Sequence, residues 1–159
     1  MMIAFTLAAA MLIPPPPDWT PPRMVGPGLL CGSSFGLDLR PGEAGTWGWP
    51  GEIFINDIFG TVHVATPRGE VLITENGART RPTGTWRRAG RAGTHVIRDH
   101  GGGVYSVEVS TSGTIRAVTL RFAPTFAPAD RRAVLSRLRI DAPRNPQCLQ
   151  PENRPQTSN

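Results

Sequence analysis

The sequence predicts an α+β fold in which an antiparallel meander of about seven short strands is closed by one C-terminal amphipathic helix. Three observations predict it. Apolar and polar side chains alternate with a two-residue period in short runs between Phe35 and Phe122. Gly- and Pro-containing turn sequences separate those runs. A single segment, Pro128 to Arg139, shows three- and four-residue spacing instead, through Val134, Leu135 and Leu138. The 18 Gly and 17 Pro among 159 residues exclude long helical bundles and coiled coils, and leave an all-β sandwich or open barrel as the alternative architecture.

The elements follow in chain order. Met2 to Ile13 is uncharged and mostly apolar, too short to span a bilayer but the right length for the apolar part of a signal peptide, with small residues at Ala8 to Ala10. Residues 1–13 are thus a signal peptide or apolar N-terminal segment, and export to the periplasm or beyond is expected. Seven Pro fall between Pro14 and Pro27, so residues 14–30 read as an extended spacer. A single domain is expected over 31–148, followed by a polar tail over 149–159. Within the domain, Phe35, Leu37 and Leu39 alternate with Gly36, Asp38 and Arg40 as the first strand. Ile53 to Phe59, Val62 to Thr66, Val71 to Thr74 and Thr94 to Arg98 are the next four. Tyr105 to Ser110 and Ile115 to Phe122 form a hairpin through the turn Thr111-Ser112-Gly113-Thr114. Further turns fall at Pro67-Arg68-Gly69, Asn76-Gly77 and Gly101-Gly102-Gly103. In the helix, Asp130 lies in the first turn and Arg137 and Arg139 in the last, agreeing with the helix dipole.

Cys31 and Cys148 stand at opposite ends of the expected domain, and an oxidising compartment favours a disulfide between them. Neither belongs to a C-x-x-C pair and neither has a His nearby, so no metal site is expected there. The entry Cys31-Gly32-Ser33-Ser34-Phe35-Gly36-Leu37-Asp38-Leu39-Arg40-Pro41-Gly42, together with the closing Leu135-Ser136-Arg137-Leu138-Arg139-Ile140, resembles small exported bacterial proteins with a PsbP-like pattern. The resemblance covers the two ends of the domain and bears on architecture alone. It implies a sheet with a helix before a short terminal strand, and it brings no catalytic residues.

Charge is the most informative feature for function. All 17 basic residues are Arg, which excludes Schiff-base chemistry, a P-loop and a kinase lysine. Six Arg (Arg79, Arg81, Arg87, Arg88, Arg91, Arg98) and no acidic residue lie between Asn76 and Arg98, with Trp86 beside Arg87. That stretch carries +6, one more than the +5 of the whole chain. Guanidinium groups grip phosphate and carboxylate in pairs of hydrogen bonds, so Arg79, Arg81, Arg87, Arg88, Arg91 and Trp86 are candidates for contact with an anionic envelope lipid or glycan. Nucleic acid takes that place only if the chain is not exported. The opposing reading is a solvated, Gly-rich charged loop.

Two other constellations are weighed. Gly32-Ser33-Ser34-Phe35-Gly36 matches the G-x-S-x-G pattern and makes Ser34 the one candidate nucleophile of a small serine hydrolase, although a strand and not a helix follows it. Trp47 and Trp49 could form an aromatic platform or cap a small core. His63, His95 and His100 have no ligand-like spacing, and neither a metal nor another cofactor is expected. The expectation is a non-enzymatic, exported envelope binding or accessory protein without a transmembrane span, the alternatives being the hydrolase and a self-associating structural module.

Overall fold

The computed structural model describes residues 15, 17–48, 58–77, 81–111, 114–140 and 147–152. The apolar segment 1–13, Trp49, Arg79, the first part of the strand expected from Ile53, and Ser112-Gly113 lie outside the described residues.

Among the described residues the protein is mostly β-structure, antiparallel, with one short helix. Its strands are β1 (Arg23–Val25), β2 (Gly28–Cys31), β3 (Phe35–Leu39), β4 (Ala44–Trp47), β5 (Ile58–Thr66), β6 (Gly69–Asn76), β7 (Arg87–Ala92), β8 (His95–Asp99), β9 (Val104–Thr111), β10 (Thr114–Phe122) and β11 (Leu138–Ile140), with helix α1 (Pro128–Leu135) between the last two. They form an eight-stranded sheet in the order β1-β4-β5-β6-β10-β9-β8-β7 and a three-stranded sheet in the order β11-β3-β2. The expected meander of about seven strands therefore becomes two sheets. The difference lies in β1, β2, β4, β7 and β11, which are short or rich in Gly and Arg and show little alternation in the sequence.

Register explains which face is buried. In the large sheet Val118 lies opposite Val107 and Glu75, Leu120 opposite Tyr105 and Ile73, and Phe122 opposite Val71. These rows, with Val62, Val64 and Ile97, form one cluster with Leu30, Phe35 and Leu37 of the small sheet and with Val134 and Leu135 of α1. The other face carries the polar row Arg98, Ser106, Thr119, Thr74 and Thr61. Tyr105, Phe122 and Phe126 continue the core edge to face, with ring centroids 5.5 and 5.1 Å apart.

Three boundaries differ from expectation, each because a partner strand recruits the segment. Residues 14–30 are not all spacer: β1 pairs with β4, and β2 with β3. The tail docks too, since Leu149 N donates to Leu29 O and Glu152 N to Arg23 O. The helix stops at Leu135, where Ser136 N and Arg137 N bond back to Arg132 O and Val134 O. The following residues become β11, which fills the open edge of β3 and places Leu138 opposite Leu37. Extended geometry buries Leu138 and sends Arg139 outward to Asp38, 2.7 Å away.

The turn Pro67-Arg68 between β5 and β6 forms as expected, and Gly69 enters β6 with φ +132°. A Cβ there would stand 2.4 Å from Thr125 Oγ1, which donates to Arg68 O and ties the β10–α1 connection to this hairpin. Gly69→Ala is expected to cost about 1–3 kcal/mol, from the combined strain of a positive φ and the displaced threonine. Urea unfolding of the variant checks it; an unchanged midpoint would show that the hairpin turn readjusts freely.

Candidate functional site

β7 is the terminal strand of the large sheet, so among the described residues one of its edges has no neighbour within that sheet. Its sequence, RRAGRA, holds three of the candidate cations, Arg87, Arg88 and Arg91. The register against β8 pairs Arg87 with Asp99, Arg88 with Arg98, then Gly90 with Ile97 and Arg91 with Val96. The shift between Arg88 and Gly90 inserts one extra residue. In an uninterrupted strand, positions three apart point to opposite faces; the bulge instead returns Arg88 and Arg91 to one face, the face of Arg98.

The cations divide into two groups. Arg81 and Arg98 converge on one carboxylate oxygen, Glu108 Oε1, at 3.2 and 2.9 Å. Glu108 lies on β9, so this counter-charge reaches the Arg-rich stretch only through the fold. Arg98 in turn stacks on the Trp86 indole, its guanidinium carbon 4.6 Å from the ring centroid. Arg91 donates to Thr94 O at 2.6 Å. Arg87 and Arg88 are exposed and make no ion pair among the described residues. Thus two of the five described Arg in the stretch support the local structure through Glu108, and Arg87 and Arg88 keep their charge available.

The end of this edge is concave. Thr85, Trp86, Arg87, Asp99, His100 and Gly101 line a cavity of about 490 Å³. Trp86 is 43% exposed, one of two large apolar side chains open to solvent among the described residues. Asp99 Oδ1 accepts a hydrogen bond from Gly101 N at 2.8 Å. His100 Nε2 and Ser106 Oγ are 2.7 Å apart. That Ser–His pair has no sequence signature, because it joins a strand end to the neighbouring strand. His100 Nδ1 has no hydrogen-bond partner among the described residues, so the pair has no third group to orient the ring.

Ser34 lies elsewhere, in the connection between β2 and β3. It is 5% exposed, and its backbone N–H donates to the buried carboxylate of Glu75 on β6. The connection is an antiparallel hairpin, so it lacks the strand-to-helix turn that exposes a nucleophilic serine. Glu75 was not legible as special in the sequence. It is 1% exposed, and its two oxygens approach the backbone at Gly32 and Gly60, where a Cβ would stand 3.0 and 3.5 Å away.

Trp47 packs on the core. Its ring lies 6.5 Å from that of Phe35 and covers Gly60. His63 belongs to β5 and His95 to β8, four strand spacings or about 19 Å apart across the sheet. His63 meets Glu70 at 3.2 Å, on the exposed face. Among the described residues no three His, Cys, Asp or Glu side chains gather as a metal site, and no helix is long and apolar enough to cross a membrane. Cys31 and Cys148 are joined, their Cα atoms 5.7 Å apart.

No protein-family model matches the chain, and neither curated proteins nor solved structures provide a match.

Proposed function

We propose that this chain is an exported, non-enzymatic binding or accessory protein of the cell envelope that contacts an anionic partner through β7. The observation that carries the reading is the pair Arg87 and Arg88, exposed on the terminal strand and without an ion pair among the described residues, with Arg91 brought to the same face as Arg88 by the bulge. Guanidinium groups so placed bind carboxylate or phosphate without first breaking an internal ion pair. Export is supported by the apolar segment Met2 to Ile13 and by the bridge from Cys31 to Cys148, a pairing suited to an oxidising compartment.

The two rival readings draw less support. A serine hydrolase would have to work from a buried Ser34 in a β-hairpin. Self-association through β7 would bring like charges together, and charged side chains on a terminal strand disfavour such pairing.

The test is binding of the parent and of the triple variant Arg87→Ala/Arg88→Ala/Arg91→Ala to polygalacturonate and to phosphatidylglycerol vesicles at low and high salt. The parent is expected to bind at least one of these surfaces and to weaken steeply as salt rises. The triple variant is expected to bind at least tenfold more weakly at low salt, with a flatter salt dependence. Equal binding by both proteins would overturn the reading.

A further inference from the structure

We infer that the cavity between Trp86 and Gly101 is a subsite for an acidic sugar residue, an inference that rests on the proposed anionic partner and names its class as an acidic glycan. The indole of Trp86 is the stacking platform. Arg98, which Glu108 holds at 2.9 Å, lies over the ring with its guanidinium carbon 4.6 Å from the centroid, so the platform has a packed partner without a ligand. Trp86 is nonetheless exposed to solvent and lines the cavity. A pyranose presents a face of C–H bonds that packs against an indole while its hydroxyls stay at the rim, and a rigid aromatic side chain loses little entropy in making that contact.

The polar lining fits the remaining groups of such a sugar. Arg87 is exposed, lines the same cavity and has no ion pair among the described residues, so it is available to the sugar's carboxylate or phosphate. Asp99 sits opposite Arg87 in the β7–β8 register. One of its oxygens is held by Gly101 N, and the other, with no hydrogen bond among the described residues, is placed to accept from a sugar hydroxyl. The volume, about 490 Å³, lies within the range of small-molecule sites.

The same lining argues against other polyanions. Among the described residues it holds no aliphatic side chain, so an acyl chain finds little apolar surface there beyond Trp86. Asp99 adds a negative charge, which disfavours a densely phosphorylated strand but suits a hydroxylated, singly charged ring. An acidic peptide offers Trp86 only flexible methylene groups instead of the rigid C–H face of a pyranose.

Calorimetric titration with trigalacturonate tests the subsite, with maltotriose, a polyglutamate of matched charge and a short single-stranded oligonucleotide as comparisons. Trigalacturonate is expected to bind at least tenfold more tightly than each of the three. Trp86→Ala is expected to lose at least tenfold and Trp86→Phe to keep most of the affinity, while thermal unfolding of both stays near that of the parent. Polyglutamate or the oligonucleotide binding as tightly as trigalacturonate would overturn the subsite, as would Trp86→Ala binding like the parent. If the triple Arg variant loses binding to all polyanions while Trp86→Ala loses none, the β7 reading stands and the sugar subsite falls. If neither variant changes binding, both fall.

Discussion

Arg137→Met is expected to destabilise the protein by about 3–5 kcal/mol, the cost of leaving one member of a buried ion pair alone. Arg137 and Glu43 form a two-pronged bridge, with Nη1 2.6 Å from Oε2 and Nη2 3.0 Å from Oε1. Their side chains are 12% and 7% exposed, so water does little to screen the charge that remains. The pair is also a junction. Arg137 donates to Asp38 O on β3 and to Ala133 O in α1, while Glu43 accepts from Arg40 N. It therefore joins the end of the helix to β3 and to the turn before β4. Glu43→Gln/Arg137→Met is expected to recover part of the loss, because the uncompensated charge is gone and only hydrogen bonds are missing. Guanidinium unfolding of the single and double variants checks both statements. A single-variant loss below about 1 kcal/mol would place the pair with solvated surface bridges, contrary to its burial.

Removing the disulfide is expected to cost as much by a different route. Cys31 and Cys148 are separated by 117 positions, and cross-linking a loop of that length lowers the entropy of the unfolded chain by an amount worth about 4–5 kcal/mol. Cys31→Ser/Cys148→Ser is thus expected to melt about 8–20 °C below the parent. The native contacts of the tail survive the substitution in principle. Leu149 N still reaches Leu29 O, and Leu149 still packs against the core. If the variant melts within a few degrees of the parent, those contacts hold the tail by themselves and the bridge contributes little. A melting temperature that falls for the parent in reductant, and not for the double Ser variant, separates the bridge from the effect of the substitutions.

The elements legible in the sequence were those whose side chains carry the pattern of the backbone. Tyr105, Val107 and Val109 alternate with Ser106, Glu108 and Ser110, and the strand forms as β9 paired with β10. Pro128, Asp130, Val134 and Leu135 mark α1 at its start and along its apolar face. β7 was not legible, since RRAGRA alternates in nothing; it is a strand because β8 offers it an open edge. β11 shows the same principle against a competing signal, for Leu138 continues the helical spacing and is nonetheless drawn out to pair with Leu37.

The candidate site divides along the same line. Its chemistry was legible: a stretch rich in Arg, free of acid, with Trp86 at its centre. Its division of labour was not. Arg81 and Arg88 look alike in the sequence, yet Arg81 is ion-paired with Glu108, 27 positions away, and Arg88 makes no ion pair among the described residues.

By itself, then, the sequence determined the β-rich class, the pairing partner available to each cysteine and the type of charge the surface would carry. These depend on composition and on periodicities of two to four residues, which any stretch of chain expresses locally. The tertiary structure decided that Arg87 and Arg88 make no ion pair among the described residues, that a bulge sets Arg88 and Arg91 on one face, and that Trp86 borders a cavity with Arg87 and Asp99. Those outcomes depend on which strand lies beside which. Strand pairing is set by burial of the shared apolar face over the whole chain, so the neighbours it brings together leave no mark at short range.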